Sequence, residues 1–341
     1  MKHFALLCLS AALLTACSQK DDIIDCGPLP NLSADAGSLA AVRSASPRLQ
    51  TFTFDLGQPQ RLRTQQGATV EFGAGVFVLP NGTVATGQAE LRLREIYEVP
   101  DMLLADLPTT TNVGFRQHRL LLSGGEFNLQ VWQGSTRLRL TATRVAVNSQ
   151  QPRVVLTSPL PTASPDTAQM LLWNQPAIGS NGAPRDSTGW QLVPATANGP
   201  GPVPVIVPVR VPSTAGYYTA ALPLDSVGYW NVDRIWPAYQ TRPSGPILVE
   251  VPTAGSATGT RVYLRPVGLN GLARALLSFP SQTQWYSTLP YGADVVVVVL
   301  QERAGQLYFG TQRITTAAGL VAKPTLEALS VAEIVRRIRL L

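Results

Sequence analysis

Apolar and polar residues alternate along this chain in short runs, and turn residues interrupt each run before it reaches the length of a helix. In Gln88-Ala-Glu-Leu-Arg-Leu-Arg94, Ala89, Leu91 and Leu93 share one parity and the polar residues the other. A period of two sends one set to a core and the other to water, so a half-buried strand is expected. Phe127, Leu129 and Val131 alternate in the same way, as do Leu138, Leu140 and Ala142. Leu79-Pro80-Asn81-Gly82-Thr83 is a turn signal, because Asn-Gly takes positive φ at little cost. Val295 to Leu300 is apolar without a break, as in a central strand covered on both faces. Around it the runs ILVEV, RVYLRP, ALLSF and QLYFGTQRIT are separated by Gly, Pro and Ser.

A helical period appears at the carboxyl end. Val331, Ile334, Val335, Ile338 and Leu341 form one apolar stripe behind Ser330 and Glu333, which have the spacing of a capping box. Arg336, Arg337 and Arg339 suit the negative end of the helix dipole. The stripe is expected to pack onto the last sheet. Together these patterns predict an all-β protein of two or three antiparallel β-sandwich domains in series, with a short C-terminal helix.

Composition divides the chain further. Residues 49–156 read as a first sandwich and 246–341 as a second sandwich plus the helix. Between them, 157–245 holds TSPLPTASPDTA and ATANGPGPVP and reads as a Pro/Gly-rich middle β region. The 28 Gly, 28 Pro and 14% charged residues fit many short strands with frequent turns. The formal charge is +6 over 341 residues, which a solvated protein carries without an anionic partner, so no nucleic-acid role is expected. All but three of the 27 basic residues are arginines, and Arg-Leu-Arg recurs at Arg61/Arg63, Arg92/Arg94 and Arg137/Arg139. Strand alternation puts each such pair in water and its leucine in the core.

The amino end has a different character. A basic start, Met1-Lys2-His3, precedes Phe4 to Leu14, which is apolar apart from Ser10. That is the pattern of a secretory signal, and it is shorter than the roughly 20 residues a membrane span needs. Leu14-Thr15-Ala16-Cys17 resembles the lipobox of bacterial lipoproteins. The resemblance implies removal of residues 1–16, thioether diacylglycerol on Cys17 and acylation of the new terminus; several chains together make a durable membrane anchor. An ordinary cleaved signal is the rival reading.

Ser18-Gln19-Lys20-Asp21-Asp22 resembles the export signal of Bacteroidota lipoproteins, which implies outer-membrane attachment with display at the cell surface; a lipoprotein facing the periplasm is the alternative. Residues 17–48, poor in large apolar groups, are expected to be a flexible tether. With Cys8 removed and Cys17 acylated, Cys26 is the one free thiol, so no internal disulfide is expected.

Two stretches, GATVEFGAGVFVLPNGTVATGQAELRLREIYEVPDMLL and LLLSGGEFNLQVWQG, resemble the ZU5-like β domain at the front of many Bacteroidota lipoproteins. The likeness covers about residues 66 to 140. Some ZU5 proteins cut themselves after His-Phe; here His118 is followed by Arg119-Leu120, so self-cleavage is not expected. The run YYTAALPLDSVGYWNVDRIWPAY also resembles the segment that follows this domain, and the strands from Pro246 resemble transthyretin-like or carboxypeptidase-regulatory-like sandwiches.

Candidate chemistry is sparse. The mature chain keeps a single histidine, His118, and carries no G-x-S-x-G, H-E-x-x-H, C-x-x-C, phosphate-loop or dinucleotide motif. Leu122-Ser123-Gly124-Gly125-Glu126 matches a transport-ATPase signature, but without a Walker lysine loop the match is a coincidence. No cofactor and no metal are expected, and no enzymatic role. Tyr229, Trp230, Trp236 and Tyr239 around Asp233 and Arg234 are the candidate contact surface, since aromatic faces beside an acid and an arginine stack on sugars or anchor a protein; core packing is the competing account.

Glu95 falls on the buried parity of Leu91 and Leu93. A buried carboxylate is costly unless paired, so either the strand ends there or a cation such as Arg116 or Arg119 meets it. Asp166-Thr-Ala, Asp186-Ser-Thr and Asp225-Ser-Val match short O-glycosylation patterns of such exported proteins. The function expected is a structural or protein-interaction role at the surface, with the membrane as partner through the lipid. Capture of a glycan or peptide is the alternative, and a carboxylate-based hydrolase the second.

Overall fold

The computed structural model describes residues 37–112, 118–140, 154–160, 170–175, 189–195, 207–208, 213–214, 217–222, 228–251, 259–278 and 283–341. Cys17, Cys26, Arg116, Asp166, Asp186 and Asp225 lie outside them. The protein is all-β, with four short helices among the described residues.

Helix α1 (Leu39–Arg43) leads into strands β1 (Gln50–Asp55), β2 (Gln60–Arg63), β3 (Thr69–Phe72) and β4 (Gln88–Ile96). Helix α2 (Val99–Ala105) and the long β5 (His118–Gln133) follow. Then come β6 (Val154–Pro159), β7 (Leu171–Gln175), β8 (Tyr217–Leu222) and β9 (Tyr229–Ile235). One sheet runs β1-β4-β5-β9-β7 and continues to Gln191–Leu192; the other runs β2-β3-β6-β8 and ends at Ser213–Thr214. Their strands pair antiparallel. The sheets close on one core, with Phe54, Leu91, Leu93, Phe127 and Trp230 from the first facing Val70, Phe72, Leu156 and Tyr218 from the second. The predicted parity is observed: Leu91, Leu93, Phe127, Leu129 and Val131 are all buried.

This pairing fixes the place of the middle region. Strand β6 joins β3 to β8, while β9 and β7 extend the first sheet beyond β5. The boundary expected at 156/157 therefore does not separate two sheets: it falls within β6, and β7, β8 and β9 complete the first sandwich.

Helix α3 (Ala238–Thr241) links to β10 (Ser244–Glu250), β11 (Thr260–Pro266), β12 (Gln284–Pro290), β13 (Asp294–Arg303) and β14 (Gln306–Thr315). Strands β12 and β10 form one sheet with Leu276–Leu277 and Val321–Ala322 at its edges, the last pairing parallel to β10. The other sheet is β11-β13-β14, flanked by Ala273–Arg274 and Glu327–Ala328. Val249, Leu264, Trp285, Val295, Val297 and Val299 fill the space between them. Val298 and Leu300 point the other way, into a layer formed by α1, α2 and α4 (Val331–Arg339). Strand β13 is thus covered on both faces, as its uninterrupted apolar run predicts.

Helix α4 packs as expected, with Ile334 and Ile338 fully buried against this sheet. The Ser330 hydroxyl accepts the Glu333 N–H at 3.2 Å. The other half of the box is replaced: Glu333 turns its carboxylate to Arg336 and Arg337.

The last part of the segment expected to be a tether is folded. Residues 37–48 belong to the folded body. Ser38 caps α1 by accepting the Ala41 N–H, and Val42 is 2% exposed in the helix layer. Arg43 pairs with Asp106, and the Leu39 N–H donates to Glu302 at 2.9 Å. One buried side chain and two polar links suffice to order a five-residue turn whose composition alone reads as spacer.

The sandwiches share their interiors. Leu120, Leu122 and Trp236 of the first lie in the core of the second, and α2 of the first sits on the outer sheet of the second. Backbone bonds cross the seam from Thr109 N–H to Leu272 O at 2.8 Å and from Ser123 N–H to Asn270 O at 2.7 Å.

Candidate functional site

Strand β9 carries the aromatic and acidic run, and its alternation distributes that run between two interiors. Trp230 and Val232 face the first core, where Trp230 is 1% exposed. Trp236, 9% exposed, lies in the second. The Tyr239 hydroxyl ties the sandwiches, accepting the Leu120 N–H at 3.0 Å and donating to the Thr288 carbonyl at 2.7 Å. Its ring meets Trp236 edge-on and carries the Arg119 guanidinium 5.8 Å above its centre. Tyr229 and Arg234 are half-buried, and Asp233 is wholly buried. The expected contact surface is therefore corrected: Trp230 and Trp236 show no open face on which a sugar could stack. Trp236 and Tyr239 belong to the seam, and Trp230 to the first core.

Glu95 is buried as the parity predicts, and the strand continues past it to Ile96. The expected arginine partner is replaced by neutral donors. Thr64 Oγ1 donates at 2.8 Å, and Tyr97 Oη, Gln50 Nε2 and the Gln66 N–H each donate at 2.9 Å. Four directed donors can hold a carboxylate in the interior as a cation would. Burial, reinforced by the charge of Glu95, drives the Tyr97 phenol well above its usual range.

A pair of buried acids escapes sequence reading. Glu126 lies opposite Asn231 across β5 and β9, and Asp233 lies opposite Ser123. Between those points β5 holds one residue more than β9, a bulge at Gly124-Gly125. Both glycines are required by space. A Cβ on Gly124 would stand 2.5 Å from the Tyr218 ring and 2.8 Å from the Val232 carbonyl, and Gly125 has φ 137° with the Tyr97 ring 2.9 Å from its Cβ position. The bulge turns Glu126 and Asp233 to one side.

Both acids are fully buried, and neither oxygen of Glu126 nor Oδ1 of Asp233 has a hydrogen-bond partner. Burial, with the neighbouring Asp233 charge added, pushes Glu126 well above the carboxylate range. Burial likewise raises Asp233, outweighing the Ser123 hydroxyl and the Gly124 N–H that favour its charged form. Asn231 Nδ2 donates to its other oxygen. Ile96, opposite Glu126, belongs to the helix layer. Because Glu126 has the outward parity next to Phe127, the pattern assigns it to water; the second sandwich is what covers it.

Asp106 is the opposite case. It ends α2 in the left-handed conformation and receives Arg43, Arg261 at 3.1 Å, Arg274 at 3.4 Å and the Tyr263 hydroxyl. Burial alone would raise it, but Arg274, Arg43, the Tyr263 hydrogen bond and Arg261 together hold it below the usual carboxylate range. One acid thus gathers α1, the end of α2 and two strands of the second sandwich.

The chemistry within reach is limited. The Glu126/Asp233 pair is sealed and offers no seat for a sugar between its carboxylates. His118 is half-buried and lowered by that burial. Among the described residues no three His, Cys, Asp or Glu side chains gather in metal-binding geometry. Compared with models of known protein families, the chain matches none, and no curated protein sequence matches it. The ZU5-like resemblance accordingly rests on the residues quoted for it.

Proposed function

We propose that this chain is a lipid-anchored protein of the outer membrane, displayed at the cell surface, whose role is structural or interaction-mediating rather than catalytic. The observation that carries the reading is Leu14-Thr15-Ala16-Cys17 at the end of a short apolar run. The docking of α1 supports it. Residue 37 already belongs to the folded body, so about 20 residues separate it from Cys17, a span of at most about 70 Å for any extended chain of that length. Ion pairs and apolar burial hold the chain at its entry to the seam, so a pull on the lipid is received by both sandwiches. Acidic and aromatic groups that could serve chemistry are used inside the body, which leaves loops and sheet faces for contacts.

Cell fractionation tests the anchor. Cys17→Ser is expected to move the protein from the membrane fraction to the soluble one; retention in the membrane would overturn the reading. Protease added to intact cells tests the display. Digestion before lysis supports an outward body, and protection until lysis would assign it to the periplasmic face.

A further inference from the structure

A cleft of about 340 Å³ opens at the seam, lined by Tyr97, Glu98, Val99, Arg265, Asn270 and Arg339 together with Leu340 and Leu341. That volume is at the lower end of the range for small-ligand sites. Most of its polar wall is committed. The Tyr97 hydroxyl donates to Glu95, and the Asn270 amide donates to the Tyr97 and Ser123 carbonyls at 2.8 Å each. Arg339 pairs with Asp101 and reaches the Ala45 carbonyl.

Arg265 differs. It sits near the end of β11 with Nε enclosed and unpartnered, and burial is the one influence displacing its guanidinium from its ordinary value. An arginine that lines a concavity and makes no ion pair there is a half-made fork, because its planar donors match an oxyanion in two-point geometry. Val99 and Leu341 add apolar wall beside it, and the exposed Glu98 stands at the mouth. A carboxylate there disfavours ligands of high negative charge.

We propose that this cleft binds a small ligand through a single carboxylate group, with Arg265 as the recognising cation and the apolar wall taking the ligand's body. The carboxylate comes from a peptide carboxyl terminus or from an acidic sugar, and the two sources are separable. Isothermal titration of the full chain in detergent with N-acetyl-leucine, galacturonate and inorganic phosphate reads the preference. Saturable binding of one of the two carboxylates, stronger than phosphate, is expected, and the one that binds names the source.

Arg265→Gln is expected to weaken it about tenfold or more, the loss of a charge-assisted contact. Glu98→Gln, at the exposed mouth, is expected to tighten binding by removing a like charge. A thermal melt of each variant confirms that the body is folded. The proposal fails if neither carboxylate gives saturable heat, if phosphate binds best, or if a folded Arg265→Gln binds as the wild type does. Should Arg265→Gln not fold, unchanged affinity in Glu98→Gln overturns it instead.

Discussion

At the scale of single residues, three buried carboxylates show how similar burial leads to opposite consequences. Glu95 accepts four hydrogen bonds, so Glu95→Gln would set an amide N–H₂ against donors and lose charge-assisted bonds. A cost of about 2 to 4 kcal/mol in denaturant unfolding is expected. Glu126 accepts none, and its folded pKa is raised. Its contribution to stability is therefore fully present below about pH 4.3, the unfolded value, and is lost as pH rises through the folded one. Glu126→Gln, neutral at every pH and able to donate toward Asp233, should stabilise the protein at pH 7 by about 1 to 3 kcal/mol. Melts across pH 4 to 8 should flatten in that variant, and a destabilised Glu126→Gln with an unchanged profile would refute the assignment. Asp106 has the reverse sign: depressed in the fold, it contributes stability above about pH 3.9 that disappears as pH falls through its folded value. Asp106→Asn leaves three arginines around a neutral group and should cost about 3 to 5 kcal/mol, with a shallower acid limb in the same melts.

Elements were legible where one face of a strand decides its fate. The alternation in β4 and β5, the uninterrupted β13 and the stripe of α4 each translate into the observed burial, because a period of 2 or 3.6 is a direct record of which side meets a core. What stayed hidden was the second face. Glu126 and Asn231 have the parity of exposed residues and are buried by a sandwich that the local pattern does not mention. Trp230 and Trp236 stand together in the sequence as a candidate contact surface with core packing as the rival account, and alternation and the turn into α3 send them into different cores. The Gly124-Gly125 bulge was visible only as two small residues, since the Tyr218 and Tyr97 rings that demand them come from β8 and from the residue after β4. Gly124→Ala should therefore destabilise by about 1 to 3 kcal/mol through overpacking, although its backbone angles are ordinary. An equilibrium urea titration reads this directly. A midpoint equal to wild type would mean that Tyr218 gives way freely and that the bulge is not sterically fixed.

For the whole molecule the decisive feature is that its two sandwiches do not own separate interiors. Leu120, Leu122 and Trp236 leave the first to fill the second, α2 leaves the first to cover the second, and α1 and Asp106 hold both. Two domains joined by a linker unfold one after the other, whereas bodies that complete each other's cores lose stability together. A single transition is expected in thermal and urea unfolding, with intrinsic tryptophan fluorescence and far-ultraviolet circular dichroism coinciding. Fluorescence samples both bodies, because Trp173, Trp190 and Trp230 lie in the first and Trp285 in the second, with Trp236 at the junction. Trp236→Ala, which opens a cavity in the shared core, should cost about 3 to 5 kcal/mol and lower the common midpoint while the transition stays single. Two resolved transitions in that variant would mean that the seam is the weak link. Two transitions already in the wild type would mean that the shared side chains are contacts between independent domains, and the transmission of a pull from α1 to both sandwiches would fail with them.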